Sequence, residues 1–220
     1  MTQSAPPPFT PLETLRDGLR QSREALREAF FKGRKPGWLL REHARLIDRT
    51  LQGLWRDHGP RPGATPGMAL VATGGYGRGE LFPSSDVDVL ILLSADPTAE
   101  ERERLERLIG ILWDIGLEPG HSVRTVEACV ETAQADITIE TALLEARLLA
   151  GSASLFRRLA KAIERIVVPA AFLKAKMLEQ EQRHAKHRDT PFALEPNLKE
   201  APGGQRDLQV IRWIAQACGI

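Results

Sequence analysis

Apolar residues recur at helical spacing through the first quarter of the chain. Leu12, Leu15, Leu19, Leu26, Phe30 and Phe31 fall on one side of a helix, and Gly33, Pro36 and Gly37 end the pattern. A second stretch runs from about Trp38 to His58, with Leu39, Leu40, Ala44, Ile47, Leu51 and Leu54 on one face. Together they predict a helical hairpin. A turn-rich linker with three prolines, Gly59 to Gly67, leads to a change of period. Met68 to Thr73 is a run of strand length, and Asp86 to Leu93 is a second, rich in Val, Ile and Leu. Ala99 to Ile115 reads as a charged amphipathic helix, Leu117 to Val126 as a third strand and Glu127 to Ala135 as a short helix. Ala142 to Leu149 fits strand or helix equally. Beyond Gly151 the pattern is helical, over Ser154–Ile166, Ala170–Arg188 and from Asp207 to Cys218, with an irregular loop at Thr190 to Gly204.

These elements predict an α+β chain in four parts. Residues 1–11, with four prolines, form a disordered leader. Residues 12–66 form the helical hairpin, 67–151 a small sheet flanked by helices, and 152–220 a helical domain. The amphipathic end Ile211-Arg-Trp-Ile-Ala-Gln216 has no partner helix after it, so the expectation is a chain truncated from something longer. Trp113 and Trp213 are expected in the core.

Composition narrows the function classes. Lys and Arg number 30 against 29 Asp and Glu, a net charge of +1. That balance gives no general attraction to nucleic acid or to an anionic membrane, so phosphate binding must be local. The two cysteines, Cys129 and Cys218, are too far apart in sequence for a metal finger and too few for a disulfide framework. The start has neither a basic nor an apolar signal region, and no apolar run reaches about 18 residues. The expectation is a cytoplasmic protein with no membrane and no nucleic-acid partner.

The candidate chemistry sits in one stretch. Positions i and i+2 of a strand share a face, so Asp86 and Asp88 project together while Val87 and Val89 turn the other way. Two like charges at that spacing repel unless a cation lies between them. Mg²⁺, which takes carboxylate and phosphate oxygens, removes the conflict. Gly74 and Gly75 open a glycine-rich turn, Gly74-Gly-Tyr-Gly-Arg-Gly79, where bare backbone amides can cradle an anion. Ten residues separate Gly75 from Asp86, a hairpin-scale return. Arg78 and Ser85 lie within reach of phosphates in sequence.

Two other patterns carry less. Gly75-x-Gly77-x-Gly79 is part of a dinucleotide fingerprint, but Leu81-Phe-Pro-Ser-Ser85 follows it where a helix is required. His187-Arg-Asp189 lacks the other elements of a kinase catalytic loop. His184 and His187, beside Arg183, Lys186 and Arg188, read as a basic solvated helix face.

An apolar strand, Gly-Gly, a spacer of about ten residues and then Asp-x-Asp resembles the signature of the polymerase-beta-like nucleotidyltransferases. More specifically, Gly74-Gly-Tyr-Gly-Arg-Gly-Glu-Leu-Phe-Pro-Ser-Ser-Asp-Val-Asp88 resembles the bacterial PII uridylyltransferase/uridylyl-removing family. So do Leu112-Trp-Asp-Ile-Gly-Leu-Glu-Pro-Gly-His-Ser-Val-Arg-Thr125, Thr141-Ala-Leu-Leu-Glu-Ala-Arg-Leu-Leu-Ala-Gly151 and Glu195-Pro-Asn-Leu-Lys-Glu-Ala-Pro-Gly-Gly-Gln-Arg-Asp-Leu208. Gln205 departs from the apolar residue usual before Arg-Asp.

The resemblance implies a polymerase-beta-like fold and transfer of UMP from UTP to a tyrosine of the PII signalling protein, with pyrophosphate released. It implies two Mg²⁺ ions on Asp86 and Asp88, with Glu145, Glu118 or Asp136 as third carboxylate and Glu145 the first choice. Gly74, Gly75, Arg78, Ser85, Lys199 and Arg206 would contact nucleotide or partner. The family's hydrolytic HD domain and its glutamine-sensing ACT domains have no counterpart in this stretch, so uridylyl removal is not expected of it. The alternatives are the same fold acting on another acceptor, or a nucleotide- or partner-binding module without turnover.

Overall fold

The computed structural model describes residues 12–61, 67–187, 189–190, 192, 195 and 197–220. The expected leader, 1–11, lies outside the described residues. The described chain divides into two compact units. One comprises the chain up to Val126 together with Glu145–Arg157; the other comprises Glu127–Leu144 and Arg158–Ile220.

The first unit is built on α1 (Leu12–Phe31), α2 (Pro36–His58) and α4 (Ala99–Asp114) packed on a four-stranded mixed sheet. Pro36 sits in the first turn of α2, where its missing N–H costs nothing. Thr98 and Glu101 close a reciprocal capping box that starts α4. The strands are β1 (Met68–Ala72), β2 (Val89–Leu93), β3 (His121–Thr125) and β4 (Arg147–Gly151), in the order β3-β2-β1-β4. β1 runs antiparallel to both β2 and β4, and β2 runs parallel to β3.

The register pairs Leu70 with Ile91 and Ala72 with Val89. Those residues, with Met68 and Leu93, share the sheet face that meets Leu19, Ile47, Leu51, Leu105, Leu108 and Leu112. Burying that apolar surface is what fixes the helices on the sheet. Trp113, one position past Leu112 and about 100° around the helix, is 53% exposed rather than core.

Between β1 and β2 the glycine-rich turn is not a simple bend. Gly74–Gly77 forms a single helical turn, α3. Its bonds run from Gly77 N–H to the Thr73 carbonyl (2.9 Å) and from Arg78 N–H to that of Gly74 (3.1 Å).

The second unit is helical: α5 (Val126–Ala135, entering from the first unit), α6 (Ile137–Leu144), the later part of α7 (Ala153–Ile166), α8 (Pro169–Lys186) and α9 (Gln205–Ala217). The ambiguous stretch from Ala142 to Leu149 resolves into both forms, since α6 ends at Leu144 and β4 begins at Arg147. Phe172, Val210 and Trp213 form the centre of this unit, with Ile137, Leu144 and Ile214 against them. No helix among the described residues is long and apolar enough to cross a membrane.

Candidate active site

Asp86 and Asp88 are not inside β2 but in the extended segment that leads into it. The segment is nevertheless tied on both sides. Thr73 N–H donates to the Asp88 carbonyl (3.1 Å), Val87 N–H to that of Glu118 (3.2 Å) and Val89 N–H to that of Gly120 (2.8 Å). Sheet alternation therefore continues through it. Val87 and Val89 are buried in the core, and Asp86 and Asp88 are exposed on the opposite face.

Two glycines frame Asp88. Gly74 has φ of +55°, a left-handed conformation that costs a Cβ-bearing residue about 1–2 kcal/mol. A Cβ on it would lie 3.6 Å from Asp88 Oδ2, so the helical turn starts directly beside that carboxylate. On the other flank, a Cβ at Gly120 would collide with Asp88 Oδ1. The absence of side chains at both positions makes room for the carboxylate. The first amides of a helical turn have no acceptor within it, so Gly74 and Gly75 bring donors to the same place.

The other expected site residues lie differently. Arg78 does not face outward. Its side chain is 7% exposed and pairs with Glu80 (Nε–Oε2, 3.1 Å) and with Glu145. Burial draws its pKa down, but bonds to the two carboxylates more than offset that and raise it. Glu145, the first choice as third metal carboxylate, is in turn 2% exposed at its side chain and is engaged by Arg78. The reason is packing: the Glu145 backbone passes so close to Gly77 that a Cβ there would overlap its carbonyl oxygen.

Glu118 is exposed on the segment beside Val87. Asp136 bonds the Thr138 amide (2.7 Å) at the start of α6 in the second unit. No group of three His, Cys, Asp or Glu that could hold a metal stands together among the described residues. Ser85 is exposed, its amide closing a turn on Phe82 (3.1 Å). His121 is exposed at the start of β3, paired in register with Val89.

Lys199 and Arg206 both belong to the second unit. The Lys199 amide bonds Asn197 (3.0 Å), and its carbonyl accepts from the Arg206 amide (2.9 Å). The Arg206 guanidinium lies 5.4 Å from the Trp213 ring centre and bonds Gln209 (2.9 Å). Of the helix end expected to be a basic solvated face, Lys186 is exposed and Arg188 lies outside the described residues, whereas Arg183 and His184 turn inward. Arg183 Nη2 (2.7 Å) and His184 Nε2 (3.0 Å) both reach Asp207, whose second oxygen accepts from the Gly203 amide (2.8 Å).

Sequence reading missed one group in the first unit. Arg147 grips Asp48 through two nitrogens (2.8 and 3.0 Å), and the Tyr76 hydroxyl donates to the same carboxylate (2.7 Å). Burial, then the charge of Asp48, pushes the Tyr76 pKa up, so the hydroxyl stays protonated. Asp48 carries no motif; only the fold brings α2, α3 and β4 together.

The sequence matches the family model described as GlnD PII-uridylyltransferase over residues 171–219. It matches the one described as nucleotidyltransferase domain over residues 64–141. A bifunctional uridylyltransferase/uridylyl-removing enzyme of Cupriavidus pinatubonensis is 54% identical over 206 residues, which cover 94% of this chain and 23% of that protein. Its counterpart in Chromobacterium violaceum is 48% identical over 220 residues, which cover 100% and 25%. The chain thus spans about a quarter of the length of the curated relatives it matches. A solved toxin–antitoxin structure with AMP-PNP aligns at a TM-score of 0.32 and 16% identity over 64% of this chain and 96% of its own, a likeness too low to bear on the site.

Proposed function

This chain belongs to the PII-uridylyltransferase family over the part that it spans, and from that premise we propose that its first unit carries a nucleotidyl-transfer centre moving UMP from UTP to a tyrosine of a PII protein. The observation that supports this most is the placement of Asp86 and Asp88 on one exposed face, with the Gly74 turn against Asp88. The family-implied Mg²⁺ fits that donor set: two hard carboxylates on a rigid edge, with one side open to phosphate oxygens. Bound there, the metal would supply charge neutralisation at the phosphate and lower the pKa of the attacking hydroxyl.

The chain's own residues do the rest. Asp86 and Asp88 hold the cationic end of the nucleotide complex against the sheet edge. The Gly74 and Gly75 amides donate to phosphate oxygens and stabilise the charge that grows on the leaving pyrophosphate. Glu145 and Arg78, paired with each other, are not assigned to metal or phosphate in this reading. Lys199 and Arg206 are proposed as nucleotide or partner contacts from the second unit.

The test is transfer of labelled UMP from UTP to PII by the wild type, Asp86→Asn and Asp88→Asn. Loss in both variants, with the thermal melt unchanged or raised, is expected. Retained transfer would falsify the assignment. Transfer from UTP to another acceptor, but not to PII, would keep the chemistry and replace the partner.

A further inference from the structure

The segment Glu145–Arg147 meets the glycine turn at Tyr76, Gly77 and Arg78. Glu145 pairs with Arg78, both side chains nearly sealed from solvent. Its backbone lies against Gly77 so closely that only glycine fits there. Arg147 donates from Nε to the Gly77 carbonyl (3.2 Å) and from Nη2 to that of Tyr76 (3.3 Å). The same guanidinium forks onto Asp48 in α2, which also receives the Tyr76 hydroxyl. The turn is thereby held from behind by β4 and α2, while its front, Gly74, abuts the Asp88 carboxylate.

We propose that Arg147, with Asp48 and Glu145, is a positioning group that sets the distance between the glycine turn and Asp88, and so the seat of the nucleotide's phosphates. The inference rests on the nucleotidyl-transfer reading. Its physical basis is the planar fork of arginine, which satisfies two carbonyls and a carboxylate at fixed angles; lysine keeps the charge and loses that geometry. A misplacement of about 1 Å at a reacting centre costs on the order of 100-fold in rate.

The experiment is steady-state kinetics on Arg147→Lys and Tyr76→Phe, with UTP, Mg²⁺ and PII varied in turn. UTP affinity in the presence of Mg²⁺ is measured by calorimetry on the same samples. For Arg147→Lys the expected result is a rise of roughly tenfold in KM for UTP and in the Mg²⁺ needed for half-maximal rate, with a fall in kcat and KM for PII unchanged. Tyr76→Phe, which removes one hydroxyl from the network, should move the same parameters by a few-fold.

A merely structural role reduces the folded fraction. It lowers kcat and leaves every KM and the calorimetric affinity unchanged, and that outcome overturns the proposal. So does wild-type behaviour in both variants. If Arg147→Lys does not fold, Tyr76→Phe decides alone. If the wild type binds UTP but transfers nothing, calorimetry still decides the positioning role while the transfer reading falls. If the wild type neither binds nor transfers, both fall.

Discussion

The carboxylates of this chain fall into two kinds of setting. Asp86 and Asp88 stand exposed, side by side in one extended segment whose backbone is bonded to both neighbours. Asp207, in the second unit, is closed in: Arg183, His184 and the Gly203 amide take up its oxygens. Glu145, buried against Arg78, belongs with Asp207. Enclosed carboxylates meet cations of the protein and brace the fold, because a buried charge without a partner costs several kcal/mol. Exposed ones on a stiff backbone keep their place and leave room for a cation from outside. Burial, not residue type, separates the two roles.

The largest effect should come from the exposed pair. Asp88→Asn is expected to cut nucleotidyl transfer by roughly 1,000-fold, the upper end for removing one charged stabiliser of a transition state, without loss of stability. A variant that both stops transfer and unfolds would put Asp88 among the structural carboxylates and break the contrast. Next is Gly120→Ala. Its methyl group would displace the Asp88 carboxylate, and a shift of that size should slow transfer by about 100-fold. The melting temperature should move little, since Gly120 is exposed.

In the second unit the same logic predicts the reverse. Arg183→Ala strips Asp207 and the Glu200 carbonyl (3.0 Å) of their charged donor. It should lower unfolding free energy by roughly 2 kcal/mol in denaturant titration, the scale of a hydrogen bond to a charged group. Smallest is the acid limb of stability. Partial burial pulls the Asp207 carboxyl up, but Arg183, the Gly203 amide, His184 and Gln180 outweigh it and bring it from 3.8 to about 2. A carboxyl depressed on folding contributes stability that is full above 3.8 and disappears as the pH falls through about 2. Asp207→Asn should flatten that limb of an acid-unfolding curve; an unchanged curve would remove Asp207 from the enclosed class.

Much of the first unit was legible in the chain. Hydrophobic periodicity located α1 and α2 to within a few residues, because a helix that packs on a sheet must repeat its apolar face every 3.6 positions. The common face of Asp86 and Asp88 was legible too, since alternation needs only extended backbone, and it survives although β2 itself starts at Val89. The glycine stretch, expected as an anion-cradling turn, takes the form of a single helical turn; four residues carry no periodicity from which to tell the two apart. Trp113 misled because an apolar side chain says nothing of which way its helix faces.

The sequence by itself determined the long helices, the strand alternation and the pairing of a glycine turn with Asp-x-Asp, since each depends on neighbours within about ten positions. Only the tertiary structure decided that Glu145 and Arg78 face one another, that Arg147 reaches Asp48 across 99 residues, and that Asp207 gathers Arg183 and His184. Those partners are set by strand order and helix packing, which bring together residues whose separation along the chain carries no local signal.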